Sequence, residues 1–315
     1  MVELKDVVKT YGNRVAIDHV SLLVNRGSTF AILGQPGAGK STLLGAVAGT
    51  VRCNAGQILI NGTEVTRRSK NARRHVGFMP EGAPLYGELT VGEFLRFSCG
   101  LKGVKGNEAR DQVGRLMETT KLGPAEGKLI KYLPKGMRNK VALAGALAGD
   151  PKLLLLDQPT FGADPISARE IRSIIKDASA DKTVIVTAEA LRDVADICRY
   201  AVVLNEGKAV STGAVAAMRS SVAAVDRVRL TVMAGKDTLL AMKQSIPQME
   251  DLEILSETLD GVTDVMVEAS PQVDIRRLIW EYSAKTNMPI LEMKRVVVSA
   301  DDVLLRLTGN RGGAK

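Results

Sequence analysis

Apolar positions in the first two thirds of the chain follow the spacings that are typical of strands and helices. Alternation predicts strands in Val2–Lys9 and Val15–Val24, and short continuous apolar runs predict buried strands. These runs are Thr29–Leu33, Gln57–Ile60, Lys152–Asp157 and Thr183–Thr187. The last two are typical of strands in parallel sheets, whose faces are both covered. The pattern therefore favours an α/β fold.

Helix signals separate these predicted strands. Thr90 and Glu93 form a capping box, which predicts a helix that continues to about Cys99. A second helix is expected to end at Gly123, because glycine tolerates the left-handed conformation that stops a helix. The second helix is predicted over about Asn107–Leu122, and a third over Pro165–Ala178.

The residue pattern of the sequence changes after about Met218. Arg219–Ala224 is small and polar, as in a linker, and a second series of strands and helices follows it. We interpret residues 1–218 as one domain and residues 225–315 as a small α+β domain of roughly ferredoxin-like layout. Its predicted elements are strands around Val228–Val232, around Val265–Val267 and in Ile290–Val298, helices in Lys236–Ser245 and around Ile275–Tyr282, and a last helix capped by Ser299 and Asp302.

A glycine-rich segment carries the clearest chemical signal. Gly34–Ser41 fits the phosphate-loop pattern GxxxxGK[ST] at every fixed position, between a predicted strand and the helical run Thr42–Ala48. In that setting backbone N–H groups and the helix dipole bind phosphate oxygens. Lys40 is expected to reach the β- and γ-phosphates, and Ser41 to offer its hydroxyl to Mg²⁺. The candidate nucleotide-binding residues are Gly34, Gln35, Pro36, Gly37, Ala38, Gly39, Lys40, Ser41 and Thr42.

Asp157 is the candidate for a second Mg²⁺ ligand. It ends the apolar run Leu153–Leu156, and the carboxyl end of a buried parallel strand faces the crevice in which nucleotide phosphates lie. The alternative is a strand-end aspartate that only caps the following turn. The phosphate loop in the same chain favours the metal-binding interpretation.

Composition and charge exclude several classes of protein. Of the 315 residues, 45% are hydrophobic and 25% charged, which argues against a disordered chain, and only 3% are aromatic, which argues against a base-stacking binder of single strands. The three cysteines are scattered, so neither a disulfide framework nor a zinc site is expected. No run is long enough to span a bilayer, and the charges directly after Met1 do not fit a signal peptide. The net charge of +8 permits binding to an acidic partner or to an anionic membrane. It could equally belong to a surface that only contacts solvent.

Around these motifs the sequence resembles the nucleotide-binding subunits of ATP-binding-cassette (ABC) transporters. The matching segments up to about residue 215 are the phosphate loop, Leu133–Met137, Leu153–Thr160 and Phe161–Pro165. Pro289–Glu292 and Ala300–Leu304 resemble the accessory C-terminal domain of ABC-2 exporters. The resemblance implies the P-loop ABC ATPase fold, with a parallel core sheet, an antiparallel β subdomain and a helical subdomain at about residues 85–150. It also implies ATP and Mg²⁺ as ligands, and two subunits that sandwich two ATP molecules.

The resemblance further implies roles for single residues. Tyr11 stands where an aromatic stacks on adenine, and Glu81 stands where a Gln or Glu senses Mg²⁺ and the attacking water. Asp164 would lie at the dimer interface, and Leu85–Phe97 would contact the coupling helix of a transmembrane permease. Each ATP would lie between the phosphate loop of one subunit and the signature segment of the other, which is formed here by Pro134, Lys135 and Gly136.

Three positions depart from the family pattern. Gln158 stands where the family has a glutamate as general base, and a neutral amide is a poor proton acceptor. Glu189 takes the place of the switch histidine, where a carboxylate would repel the γ-phosphate. Pro134 replaces the signature serine and has neither a hydroxyl nor an N–H. Gly136 remains, so some backbone donation is kept, and Lys135 adds a positive charge.

These departures predict a subunit that binds Mg-ATP and hydrolyses it slowly. Loss of the general base alone lowers a rate by about 10²–10⁴-fold. The alternative is that Glu81 takes over as base and turnover is normal.

Three functional hypotheses follow. The first is the ATP-binding subunit of an ABC-2 exporter, cytoplasmic and peripheral on the inner face of the cell membrane, with a permease and a second nucleotide-binding subunit as partners. That second subunit is either another copy of this chain or a different one. The second hypothesis is a catalytically inactive regulatory or assembly module. The third, a nucleic-acid- or ribosome-associated ATPase, is supported by charge alone, so nucleic acid is not an expected partner.

Overall fold

A computed structural model describes residues 1–66, 75–82, 84–218, 226–258, 261–270 and 273–296. The chain divides into two compact units, one formed by Met1–Val215 and one that begins at Ala216. The predicted linker Arg219–Ala224 and the predicted helix after Ser299 lie outside the described residues.

Two sheets organise the first unit. Its strands are β1 (Val2–Tyr11), β2 (Arg14–Val24), β3 (Thr29–Leu33), β4 (Ala55–Ile60), β5 (Thr63–Glu64), β6 (Val76–Met79), β7 (Leu153–Asp157), β8 (Thr183–Ala188), β9 (Tyr200–Asn205) and β10 (Lys208–Ala214). One sheet is antiparallel, in the order β2-β1-β4-β5. The other has the order β10-β9-β3-β8-β7-β6, and its strands are parallel except for β10. The predicted parallel core sheet is therefore confirmed.

The apolar runs fill the centre of this parallel sheet. Leu154, Leu155 and Leu156 of β7 have no exposed surface, and every residue of β3 is buried. A strand with both faces covered needs apolar residues at successive positions rather than at alternate ones. The phosphate loop leaves β3 at its carboxyl end, which places the loop at the edge where the parallel strands end.

Five α-helices lie within the described part of the first unit. They are α1 (Lys40–Val47), α2 (Val91–Leu101), α3 (Gly106–Thr119), α4 (Lys135–Leu147) and α5 (Pro165–Ala178). The capping box of α2 is confirmed, because the Thr90 N–H donates to Glu93 Oε2 at 2.8 Å and the Glu93 N–H donates to Thr90 Oγ1 at 3.3 Å.

The predicted end of α3 at Leu122 and Gly123 is wrong. The helix ends at Thr119, and Lys121 rather than Gly123 takes the left-handed conformation, with φ of +55°. The N–H of Leu122 then donates to the carbonyl of Met117 at 2.9 Å, the closing bond of a Schellman turn. Leu122 is fully buried, so the early turn brings an apolar side chain into the core.

The second unit has the order β-α-β-β-α-β that defines ferredoxin-like folds. Its elements are β11 (Asp226–Met233), α6 (Lys236–Ser245), β12 (Met249–Glu257), β13 (Val262–Ala269), α7 (Ile275–Thr286) and β14 (Ile290–Val296). The strands form an antiparallel sheet in the order β12-β13-β11-β14. Sequence reasoning missed β12, a strand at the sheet edge that carries Glu250, Asp251 and Glu253.

Two neighbouring leucines of α6 allow a matched test of this second core. Leu239 has no exposed surface, whereas Leu240 is 44% exposed. We expect Leu239→Ala to lower the free energy of unfolding by about 2–5 kcal/mol, and Leu240→Ala by about 1 kcal/mol or less. Urea denaturation of the full chain, followed by the fluorescence of Trp280, its single tryptophan, measures both. Equal losses for the two variants would contradict the described packing.

Within the described residues, no helix combines the length and the apolar character needed to cross a membrane.

Candidate nucleotide-binding site

The phosphate loop is shaped by close backbone contacts. Gly37 has φ of +83° and Gly39 has φ of +100°, conformations that side chains disfavour. A Cβ on Gly39 would overlap the carbonyl oxygen of Ala16 in β2. The glycine is therefore required both by its backbone angle and by the approach of the neighbouring strand.

Elements distant in sequence hold the loop in place. The N–H of Gly207, in the β9–β10 turn, donates to the carbonyl of Ala38 at 3.1 Å, and Gly207 accepts from the N–H of Asp18 at 2.9 Å. The Arg14 guanidinium donates to the carbonyl of Gly37 at 3.3 Å. Sequence reasoning did not identify these contacts, because no local pattern links a hairpin turn or Arg14 to the phosphate loop.

Lys40 is held inside the loop. Its side chain donates from Nζ to the carbonyls of Gly34 at 2.8 Å and Gln35 at 2.9 Å, and the residue is only 4% exposed. Burial lowers the pKa of Lys40, and the charges of Glu189, Asp157 and Glu81 act in the opposite direction. An ammonium group beside these carboxylates is thus positioned at the loop that would receive phosphate oxygens.

Oxygen ligands converge beside Lys40. Ser41 Oγ lies 3.1 Å from Asp157 Oδ1 and 3.4 Å from Glu81 Oε2, and Thr187 Oγ1 donates to Asp157 Oδ1 at 2.5 Å. Asp157 is 3% exposed. A hydroxyl and carboxylates suit Mg²⁺, which uses one or two carboxylates together with phosphate oxygens and water. The donor set of a hydroxyl and carboxylates therefore fits a metal that is bound together with phosphate. The described residues contain no cluster of three or more His, Cys, Asp or Glu that could hold a metal.

Gln158 and Glu189 line one pocket at the ends of neighbouring strands. Asp157 pairs with Thr187 in the β7–β8 register, so the two residues follow adjacent strand ends. The Gln158 N–H donates to Thr187 Oγ1 at 2.9 Å, and Gln158 has φ of +47°, a conformation uncommon for a residue with a side chain. Sequence reasoning did not identify Thr187 as a site residue, because its position beside Asp157 depends on the register of β7 and β8.

Pro134, Lys135 and Gly136 form the start of α4 and contact a different part of the chain. Lys135 Nζ lies 4.5 Å from the ring centroid of Phe161, a cation–π contact. A Cβ on Gly136 would overlap the Ser167 hydroxyl and lie 3.1 Å from Asp164 Oδ2. The signature segment therefore lies close to the loop that follows β7 and to the start of α5.

Asn139 and Asp164 fix that loop from either side. Asn139 Nδ2 donates to the carbonyls of Pro159 at 3.1 Å and Phe161 at 3.2 Å. The Asp164 carboxylate caps α5 by accepting from the N–H groups of Ile166 and Ser167. A hydrogen bond from the Ser167 side chain, followed by these backbone hydrogen bonds, lowers the pKa of Asp164. The position of Asp164 at the predicted dimer interface stays a prediction.

Three aromatic residues among the remaining predicted contact residues are exposed. Tyr11 ends β1, is 51% exposed and carries Lys9 Nζ 4.7 Å from its ring centroid. Tyr86 and Phe97 are 57% and 42% exposed, and their rings meet edge to face with centroids 5.5 Å apart. An exposed aromatic ring can stack on a base or contact a partner, so the predicted roles of both regions stay predictions.

The parallel sheet, the loop after β3 and the acidic residue at the end of β7 define a P-loop nucleotide-binding fold. Residues 17–161 match the family model described as "ABC transporter". The Nod factor export ATP-binding protein I of Paraburkholderia xenovorans is 30% identical over 309 residues, which cover 98% of this chain and 97% of that protein. The chain therefore belongs to the family of ABC transporter ATP-binding proteins.

Other relatives and structures extend the comparison. The probable multidrug ABC transporter ATP-binding protein YbhF of Escherichia coli is 29% identical over 300 residues, 95% of this chain but 50% of that protein. The chain thus spans half the length of this relative. A dimeric structure of the ATP-binding cassette MJ0796, in a post-hydrolysis state bound to ADP and Pi, is 26% identical with a TM-score of 0.63 and covers 68% of this chain and 99% of that one.

Proposed function

We propose that the chain is the ATP-binding subunit of an ABC-2 type exporter, in which it binds Mg-ATP, pairs with a second nucleotide-binding subunit and acts on a membrane permease. The observation that carries the proposal is the buried Lys40 ammonium inside the phosphate loop, beside Ser41 and Asp157. This arrangement combines the charge and the metal-binding oxygens that a nucleoside triphosphate requires.

Different residues would bind the phosphates, the metal ion and the adenine ring. The loop amides and Lys40 would hold the β- and γ-phosphates, with Lys40 exchanging its bonds to Gly34 and Gln35 for phosphate oxygens. Ser41 and Asp157 would hold Mg²⁺, which supplies neutralisation of phosphate charge when bound. Tyr11 would stack on the adenine ring, for which its exposed position leaves room.

Dimerisation and a permease partner are supported indirectly. A related cassette of solved structure is dimeric, and one relative is named for Nod factor export. In the dimer, the segment that begins at Pro134 would face the nucleotide of the partner, and Asp164 would lie between the subunits. The exposed pair Tyr86 and Phe97 suits a contact with the permease, which would place the chain on the inner face of the membrane.

We expect slow hydrolysis because this chain contributes to two ATP sites of the dimer, and its contribution to each of them is altered. Gln158 removes a carboxylate from the site built on this chain's own loop. Pro134 removes the signature hydroxyl from the site built on the partner's loop, and it caps α4 without a side-chain hydrogen bond. We expect the affinity for Mg-ATP to be reduced less than the rate of hydrolysis, because the loop amides, Lys40 and Asp157 are all present.

A turnover measurement tests this proposal. We expect steady-state ATP hydrolysis by the full chain to stay below about 1 s⁻¹, and Gln158→Glu to raise it at least about tenfold by restoring a carboxylate at the strand end. Gln158→Ala is the matched control, since it changes the same side chain without adding a base. Wild-type turnover above about 1 s⁻¹ that survives Gln158→Ala but is lost in Glu81→Gln would refute slow hydrolysis and assign the base role to Glu81.

A further inference from the structure

The pocket at the ends of β7 and β8 contains an ionisable carboxylate as well as the amide that replaces one. Gln158 follows β7, Glu189 follows β8, and both line the pocket together with Phe161 and Gly162. Because β7 and β8 are parallel neighbours in register at Asp157 and Thr187, the two side chains start from adjacent strand ends. A proton acceptor is therefore present in the pocket, one strand away from its expected position.

Thr187 fixes the spacing between these two residues. Its hydroxyl donates to Asp157 and accepts the N–H of Gln158, which ties the end of β7 to the end of β8. Glu189 lies two residues beyond Thr187 and is partly exposed, so solvent reaches it. Thr187 therefore connects Asp157 to the backbone of Gln158, and Thr187, Gln158 and Glu189 line the same pocket.

Glu189 acts electrostatically on Lys40 in the phosphate loop. Of the carboxylates that oppose the effect of burial on the pKa of Lys40, Glu189 has the largest influence, ahead of Asp157 and Glu81. Asp157 accepts hydrogen bonds from two hydroxyl groups, and Glu81 lies 3.4 Å from Ser41 Oγ. Both carboxylates therefore lie beside Ser41, a proposed Mg²⁺ ligand. Glu189 faces the pocket instead.

We propose that Glu189 is the general base of the hydrolysis that this chain retains, and that Gln158 orients the attacking water. This inference rests on the proposed function. The position after β7, where the family has a glutamate, holds the amide of Gln158, and the position after β8, where the family has a histidine, holds the carboxylate of Glu189. A glutamine that orients water through its amide is an established role in nucleotide hydrolysis.

The chemical step balances without further reactants. Glu189 takes one proton from the water, and the water oxygen forms a bond to the γ-phosphorus. The bond between that phosphorus and the β,γ-bridging oxygen breaks, and the bridging oxygen leaves with its electron pair as part of ADP. Glu189 then releases the proton to solvent with the inorganic phosphate. The ionised carboxylate near the phosphates costs electrostatic energy, which Lys40 and Mg²⁺ offset.

Single-turnover hydrolysis of Mg-ATP by the purified full chain tests the assignment. We expect Glu189→Gln to lower the rate by about 10²-fold or more, because the amide cannot accept the proton. Affinity for Mg-ATP should be unchanged or higher, because a negative charge near the phosphates is removed. Asp193→Asn is the matched control, since it removes a carboxylate that lines the same pocket, and we expect it to keep the wild-type rate. In a Gln158→Glu background, Glu189→Gln should cost less than about tenfold, because the restored carboxylate acts as base.

Each outcome bears on one proposal. If the wild-type chain binds Mg-ATP but Glu189→Gln leaves its hydrolysis rate unchanged, or if it binds without any hydrolysis above background, the role of Glu189 is refuted and ATP binding stands. If Asp193→Asn slows hydrolysis as much as Glu189→Gln does, the assignment to Glu189 is refuted as well. If the wild-type chain does not bind Mg-ATP, the proposed function itself fails.

Discussion

Lys40→Ala is expected to weaken binding of Mg-ATP by about 10²–10⁴-fold. The Lys40 ammonium makes two hydrogen bonds inside the loop, and in the complex it would direct such bonds at phosphate oxygens. Hydrogen bonds to charged groups contribute about 1.5–3 kcal/mol each, and two of them correspond to the stated range. Isothermal titration of the full chain with Mg-ATP measures the change.

The matched control for this prediction is Lys294→Ala, which removes the same charge from an exposed position on β14. Its affinity for Mg-ATP should equal that of the wild-type chain. If Lys40→Ala binds as tightly as Lys294→Ala, Lys40 does not contact the phosphates.

Gly39→Ala is expected to abolish measurable Mg-ATP binding and to lower the melting temperature. The new Cβ would overlap the carbonyl of Ala16, and φ of +100° is unfavourable for alanine. The backbone angle alone costs about 1–3 kcal/mol, and relief of the overlap requires the loop to move away from β2. Moving the loop displaces the amides that would bind phosphate.

Gly62→Ala separates these two effects. Gly62 has φ of +77°, but no atom lies within 4 Å of a Cβ placed there. Thermal unfolding should show a modest loss of stability, and titration should show wild-type affinity. Gly39→Ala with the affinity of Gly62→Ala would mean that the contact with Ala16 does not shape the loop.

Features set by short-range pattern were predictable from the sequence. The buried strand before Gly34, the glycine-rich turn and the helix after it are consecutive, so one motif fixes all three. The capping box of Thr90 and Glu93 is likewise local, and the structure has it as predicted. In both cases the residues that interact are close together in the sequence.

Features set by tertiary packing were not predictable from local pattern. The end of α3 depends on burial of Leu122, which outweighs the preference of Gly123 for a left-handed angle. β12 was missed because it pairs at a sheet edge, where its charged residues hide the alternation. Within the candidate site, the links made by Thr187 and Arg14 depend on strand register and on a hairpin, which no single segment encodes.

Equilibrium titration of the wild-type full chain with ATP, in the presence and absence of Mg²⁺, is the measurement on which the binding site depends. We expect one saturable site per chain, with affinity that falls when Mg²⁺ is removed, because Ser41 and Asp157 would lose the ion that joins them to the phosphates. No saturable binding in the presence of Mg²⁺ would contradict a nucleotide site at the phosphate loop. Equal affinity with and without Mg²⁺ would contradict the metal-binding role of Ser41 and Asp157.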